Sequence, residues 1–291
     1  MDNSKIITER FSDISALVNR LSSESGQYIF RGMASANWRL QTSIDRLLCK
    51  ISQQNDNPLL SDTNQNIFGE VSAQLKFIQS QSQQLNLLFG RSTNEEFKLD
   101  ESNFIHLPLI LQHYGYPTRI QDWTTSWKIA LFFCLNNANE TGDFCVWSMK
   151  EKEIPDIELC LDDQKYLYTT EMFENNKIYS FYHRLKIGIY RINKGFFKRI
   201  DAQKGIALTT GRSDYMDFQK HIEECAWISK QSVHKYIVDS ALRNNFRDFL
   251  EKEGISHNSL FPNDITEEYL DSDKIKIEQF INDMYPSGIF T

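Results

Sequence analysis

Residues 107–150 read LPLILQHYGYPTRIQDWTTSWKIALFFCLNNANETGDFCVWSMK. The apolar run Leu107 to Leu111 gives way to a turn punctuated by Gly115 and Pro117, and then to the polar cluster Asp122-Trp123-Thr124-Thr125-Ser126. A helix is expected to start there. Thr125 or Ser126 can accept free backbone N–H groups, and no Gly or Pro follows before Asn139. That helix, Trp127 to about Asn139, is apolar around most of its circumference, so it should be buried on more than one side. After Gly142 the run Phe144-Cys145-Val146-Trp147 favours a strand. The order polar loop, buried helix, strand is the frame for the rest of the chain.

Tyr, Thr, Arg, Asp, Trp and Ser crowd the approach to that helix. A helix N-terminus offers unpaired N–H groups and a positive dipole end to a phosphate or carboxylate, and aromatic rings beside it suit a flat ring system. The alternative is purely structural, with Thr125 and Ser126 as caps and Asp122 paired to Arg119. A second candidate lies upstream, where Gln27 to Phe30 reads as a strand that delivers Arg31 to its end beside Gly32. There the planar guanidinium either faces a cleft and grips a phosphate or carboxylate, or pairs with a structural aspartate such as Asp122.

These stretches together resemble the FRG domain family. The resemblance rests on Tyr28-Ile29-Phe30-Arg31-Gly32, on Gln112 through Arg119 with Asp122-Trp123-Thr124, and on Ala130-Leu131-Phe132-Phe133. It extends to Arg199 through Gly205 and to Gly254-Ile255 with Leu260 through Asn263. A looser resemblance, of layout, is to the mono-ADP-ribosyltransferases: a strand arginine followed by glycine, a Ser-Thr-Ser-like element, then a glutamate. The layout implies a cleft that holds NAD as substrate, with Phe30, Arg31, Gly32, His113, Tyr114, Thr118, Arg119, Asp122 and Trp123 about the cofactor. Catalytic roles would fall to Arg31, to Thr124, Thr125 and Ser126, and to Gln203 or to Glu223 and Glu224. Gln203 departs from the pattern, because an amide hydrogen-bonds a ribose hydroxyl but carries no charge. Chemistry through an oxocarbenium-like centre depends more on positioning and charge stabilisation than on proton transfer.

The resemblance implies an NAD-dependent ADP-ribosyltransferase-like toxin or phage-defence effector. Its acceptor would be RNA, DNA or protein, and an antitoxin its restraining partner. The alternative is a non-catalytic module that recognises a nucleotide or an RNA end.

Composition narrows the choices. The formal net charge of −7 argues against broad wrapping of nucleic acid. A local basic patch with aromatic neighbours does occur, comprising Arg184, Lys186, Arg191, Lys198 and Arg199, and it reads either as a single-stranded nucleic-acid surface or as a solvated hairpin. The five cysteines lack CxxC spacing and read as reduced thiols of a cytoplasmic protein. The start lacks a signal-peptide pattern and no apolar run is long enough to span a membrane, so no membrane partner is expected. Metal spacings, Walker loops, GxGxxG and GxSxG are absent.

The remaining elements read as follows: helices over Ile6–Ser22, Ile67–Phe89, Ser232–Lys252 and Asp271–Met284, and strands near Ile187–Ile192, Gly205–Thr209 and Cys225–Ile228. The expected fold is a single α+β domain with a split or mixed β-sheet core around the buried helix, ADP-ribosyltransferase-like in layout.

Overall fold

The computed structural model describes residues 4–46, 83, 86, 109, 111–112, 116–137, 139–154, 187–190, 198–209, 218–226 and 228–262. Ile6–Phe11 is a strand (β1) and the helix (α1) is Ile14–Glu24, where one helix over Ile6–Ser22 was expected. The apolar spacing fits both, and the separating signal is Asp13, whose carboxylate accepts the Ala16 N–H at 2.7 Å and starts the helix late. Tyr28–Met33 (β2), Ile120–Thr124 (β3), the helix Trp127–Leu135 (α2) and Phe144–Lys150 (β4) follow. The cluster expected to be loop before the helix is thus mostly strand. Beyond it lie Gly188–Tyr190 (β5), Lys198–Ala202 (α3), Gly205–Thr209 (β6) and Phe218–Glu224 (α4). Val233–Val238 (β7), Arg243–Lys252 (α5) and His257–Leu260 (α6) complete the described elements.

Two further expectations are corrected. Cys225, Ala226 and Ile228 are in no strand: Cys225 N–H donates to the His221 and Ile222 carbonyls and so finishes α4, and Cys225 and Ile228 are buried without entering the sheet. Ser232 precedes strand β7, and the helix begins only at Arg243, after Asp239 has capped a short 3-10 turn. β-branched Val233, Ile237 and Val238 favoured the strand. The helix expected at Asp271–Met284 and nearly all of Ile67–Phe89 lie outside the described residues.

The strands form one seven-stranded mixed sheet in the order β1-β7-β4-β2-β3-β6-β5. β1 and β7 are parallel and the other neighbours antiparallel, so the α+β expectation holds. Each face is covered. Along β4, Cys145, Trp147 and Met149 join a core with Leu40, Phe218 and Ile222, while Phe144 and Val146 pack with Leu17, Leu21, Phe246 and the apolar side of α2. Burial on both faces explains why β4 has no polar alternation beyond Ser148. Cys134, Cys145 and Cys225 are buried free thiols, and burial pushes Cys145 up to about 11, which keeps it protonated and unreactive.

Gly32 sets the spacing between β2 and α2. A Cβ there would overlap the Ala130 carbonyl oxygen, and would stand 2.8 Å from the Ala130 carbonyl carbon and 2.9 Å from Cys134 Sγ. The glycine is therefore required by close approach of two backbones. Arg243 fixes the far end of the same junction, donating to the carbonyls of Gly142 (2.9 Å), Ala34 (2.5 Å) and Cys134 (3.4 Å).

A second buried polar group lies between α1 and β7. Tyr236 donates to Glu24 Oε1 at 2.5 Å, and His234 stacks on Tyr236 and approaches Glu24 and Glu9 within 3.8 and 3.5 Å. Burial holds His234 below its ordinary pKa, opposed by Glu24 and reinforced by Arg20. Its proton is therefore bound more weakly in the folded than in the unfolded chain. Stability from this group is full above the ordinary histidine pKa of 6.5 and is lost as pH falls through the lower folded value.

Two outcomes follow for stability. Gly32→Ala should cost about 3 kcal/mol or more, since neither backbone can yield to relieve the overlap, and urea unfolding measures it. In thermal melts across pH 5 to 8, His234→Gln should flatten the acid-side loss of stability relative to the parent; an unchanged slope would assign that loss to other groups.

Candidate functional site

The sheet is weakest between β2 and β3. β2 pairs with β4 along its length, from Tyr28 opposite Lys150 to Met33 opposite Cys145, and β3 pairs with β6 along all of Ile120–Thr124. Between β2 and β3 only Phe30 and Thr124 are in register. Past that pair the strands diverge, and a cleft of about 830 Å³ opens there. Its lining comes from both sides of the sheet: Arg31 and Met33 with the following segment through Arg46, and Phe133, Asn136 and Asn137 from the C-terminal part of α2 and the residues after it.

Three consecutive residues of β2, Phe30, Arg31 and Gly32, do different jobs. Phe30 is fully buried against α2, Gly32 admits the helix backbone, and Arg31 projects from the opposite face between them. Arg31 Nη1 donates to the Asp122 carbonyl, so a side chain joins β2 to β3 where no further ladder pair forms. Its Nε is buried with no hydrogen-bond partner among the described residues. Burial lowers the Arg31 pKa, Asp122 opposes that, and the nearby Arg46 adds to it. Arg46, also lowered by burial, donates to the Gln41 carbonyl at 2.9 Å.

Charge in the cleft is one-sided. Among the described lining residues, Arg31, Arg39, Arg46 and Arg199 face one acid, Asp122. Asp122 accepts from Gln112 Nε2 at 2.9 Å, which leaves its other oxygen for a cation or hydroxyl. An acidic chain has thus gathered positive charge at one opening, which suits an anionic ligand. Among the described residues no group of three or more His, Cys, Asp or Glu could hold a metal ion.

Of the residues expected at the site, Phe30, Arg31, Gly32, Asp122, Trp123, Thr124 and Gln203 line this cleft. Thr124 has a structural share in it: its hydroxyl donates to the Gln203 carbonyl at 2.8 Å and accepts the Ser126 N–H at 3.1 Å. Gln203 in turn donates its side-chain amide to the Leu260 carbonyl at 3.1 Å, and Arg199 lies over the Phe261 ring at 4.9 Å. The late blocks of the sequence therefore close on the early ones.

The other expected residues are elsewhere. Arg119 is 4% exposed and pairs with buried Asp45 at 3.9 Å, and Thr118 bonds to Ser43 and Gln112, so both brace the loop behind the cleft. Thr125 is exposed and donates its N–H to the Lys204 carbonyl, and Ser126 occupies the helix N-cap without a side-chain bond; neither lines the cleft. Glu223 accepts from Ser4 and Lys5, and neither it nor Glu224 lines the cleft. His113, Tyr114, Arg184, Lys186 and Arg191 lie outside the described residues, and Lys198 is exposed.

Sequence reasoning missed Asn37, Trp38, Arg39 and Arg46. Trp38 is the exposed large hydrophobic residue of the described structure, at 43%. The available signal was a tryptophan set between Asn37 and Arg39 in a stretch with no apolar period.

A mixed sheet opened between two strands, with an arginine spanning the opening and further arginines in the lining, defines an α+β protein with an arginine-lined cleft. Residues 26–143 match the FRG domain, and over that stretch the chain is similar to that family. The match takes in β2, β3, α2 and the Phe30-Arg31-Gly32 tripeptide, and stops before Gln203. Neither a curated protein nor a solved structure matches the chain.

The division between bracing and lining arginines is measurable. Arg119→Ala removes one partner of the buried Arg119–Asp45 pair and should cost about 3 kcal/mol in urea unfolding. An exposed lining residue such as Arg39, changed to alanine, should move stability by only about 0.5 kcal/mol.

Proposed function

We propose that this protein is an NAD-dependent ADP-ribosyltransferase whose NAD site is the cleft between β2 and β3. The observation that carries the reading is topological. Arg31 on β2, Thr124 at the end of β3 and Gln203 just before β6 come from three neighbouring positions in the sheet and line one opening. That is the strand-arginine, Ser/Thr, third-residue layout of the mono-ADP-ribosyltransferases, with glutamine in the third place.

The donor set fits the group to be held. A dinucleotide diphosphate needs fixed cations, and Arg31, with its unpartnered buried Nε, supplies a rigid donor. In the reaction the bond from ribose C1′ to the nicotinamide nitrogen breaks and nicotinamide leaves with the electron pair. A nucleophile of the acceptor then bonds to C1′ and loses its proton. Arg31 holds the diphosphate, and Thr124 and Gln203, tied to one another, hold the ribose end of the cleft in shape. The setting that accords with NAD consumption is a toxin or phage-defence effector restrained by a partner protein.

One observation favours a second reading, nucleotide recognition without transfer: Asp122 is the one carboxylate among the described lining residues, and Gln203 already spends its amide N–H on Leu260. Purified protein incubated with labelled NAD and separate pools of RNA, DNA and protein decides between them. Transfer releases nicotinamide and labels one pool, whereas recognition raises the melting temperature and releases nothing. Arg31→Ala should weaken NAD binding by about 2–5 kcal/mol, and Arg31→Lys should recover folding without the bidentate grip. If NAD neither shifts the melting temperature nor is consumed, both readings fall.

A further inference from the structure

The segment after β2 carries groups that no part of the proposed reaction uses. Trp38 stands at the cleft with 43% of its surface exposed, while the other described tryptophans, Trp123, Trp127 and Trp147, are buried. An indole face left in water beside a cavity loses hydrophobic stabilisation unless something covers it. Flanking it are Asn37 and Arg39, and Gln41 and Arg46 line the same wall. The segment is held firmly: Ala36 N–H donates to the Asp143 carbonyl at 2.8 Å, Lys235 donates to the Ala36 carbonyl at 2.8 Å, and Trp38 N–H donates to the Ser35 carbonyl at 3.3 Å. At its far end Thr42 and Asp45 cap the helical residues 43–46, with Thr42 Oγ1 donating to Asp45 Oδ2 at 2.5 Å. An aromatic face and cations on an anchored segment form a platform with fixed geometry.

We propose that residues Asn37 to Arg46 form the base-and-phosphate arm of the cleft, in which Trp38 stacks on a nucleobase and Arg39 and Arg46 take the phosphates of a nucleoside diphosphate. This deepens the preceding reading and rests on it for the choice of an adenine nucleotide. The chemistry has two parts that fit one ligand. A flat base stacks on the indole, and stacking on a base is worth about 5- to 150-fold in affinity. The phosphates meet Arg39 and Arg46, in the same cleft as Arg31, and Asp122, the one acid among the described lining residues, offsets only part of their charge. A phosphate lacking a base would engage the arginines alone, and a base lacking phosphates would engage only the indole. The arm thereby selects nucleotides over sugar phosphates.

The test uses the full chain and four probes, ADP-ribose, ADP, adenosine and ribose 5-phosphate, read by calorimetry and by tryptophan fluorescence. ADP should bind with quenching of an exposed tryptophan, and ribose 5-phosphate should bind more weakly and without quenching. Trp38→Ala should weaken ADP by about 5- to 150-fold, abolish the quenching and leave ribose 5-phosphate unchanged; Trp38→Phe should keep most of the affinity. Arg46→Gln should weaken ADP and ribose 5-phosphate alike. Melting curves of each variant confirm folding, which an exposed position such as 38 should leave near the parent. ADP binding to Trp38→Ala with parental affinity overturns the arm, even where NAD is consumed. Trp38-dependent ADP binding without nicotinamide release supports the arm while the transfer reading fails.

Discussion

A strand and a helix touch backbone to backbone at Gly32 and Ala130, and the site depends on that closeness. With no side chain between them, α2 sits directly on β2, so Phe30 is buried against the helix while its neighbour Arg31 points the other way. β3, which leads into α2 through Thr125 and Ser126, is drawn to β2 at one point, Phe30 and Thr124, and parts from it beyond. The cleft is the space left by that parting. A wider strand-to-helix spacing would move Thr124 away from Arg31 and remove the geometry on which the arginine bridge to Asp122 depends.

Holding the opening in shape takes several small interactions from distant parts of the chain. Thr124, Gln203 and Leu260 form a relay of hydrogen bonds, and Arg199 rests on Phe261. On the other side Arg243 gathers three carbonyls at the exit of β2 and the end of α2. Each bond contributes only about 1 kcal/mol, more where an arginine takes part, but they act on the same few strand ends. Positioning is their joint effect.

How far the sequence could be read follows from what kind of signal each part carried. The buried helix at Trp127, the strand at Phe144 and the placement of Arg31 at the cleft were legible, since apolar density and an Arg-Gly pair are local patterns, although the strand expected to end at Phe30 runs on to Met33. The first strand was not, because Ile6 to Leu21 satisfies a helical period and Asp13 had to be recognised as the true start. Cys225 to Ile228 misled for the opposite reason: a short apolar run serves a buried turn as well as a strand. At the site, Arg119 looked like a ligand group and is a brace, since its partner Asp45 is far away in sequence. Trp38, Arg39 and Arg46 went unread because their meaning comes from the wall they share, and no spacing rule encodes a wall.

The bond from Gln203 to Leu260 bears on how such a site can change over time. The amide nitrogen meets a carbonyl oxygen at 3.1 Å, a position that only a donor can fill. Glutamate at 203 would set a carboxylate oxygen against that carbonyl, lone pair against lone pair, and would hold there only with a proton on it. Exchanging amide for acid at 203 therefore gives up that bond unless the side chain swings away or the Leu260 carbonyl moves. The neutral residue beside the cleft is thus favoured by its neighbour, and a charge at position 203 is tolerated better once the C-terminal block no longer presents a carbonyl to it.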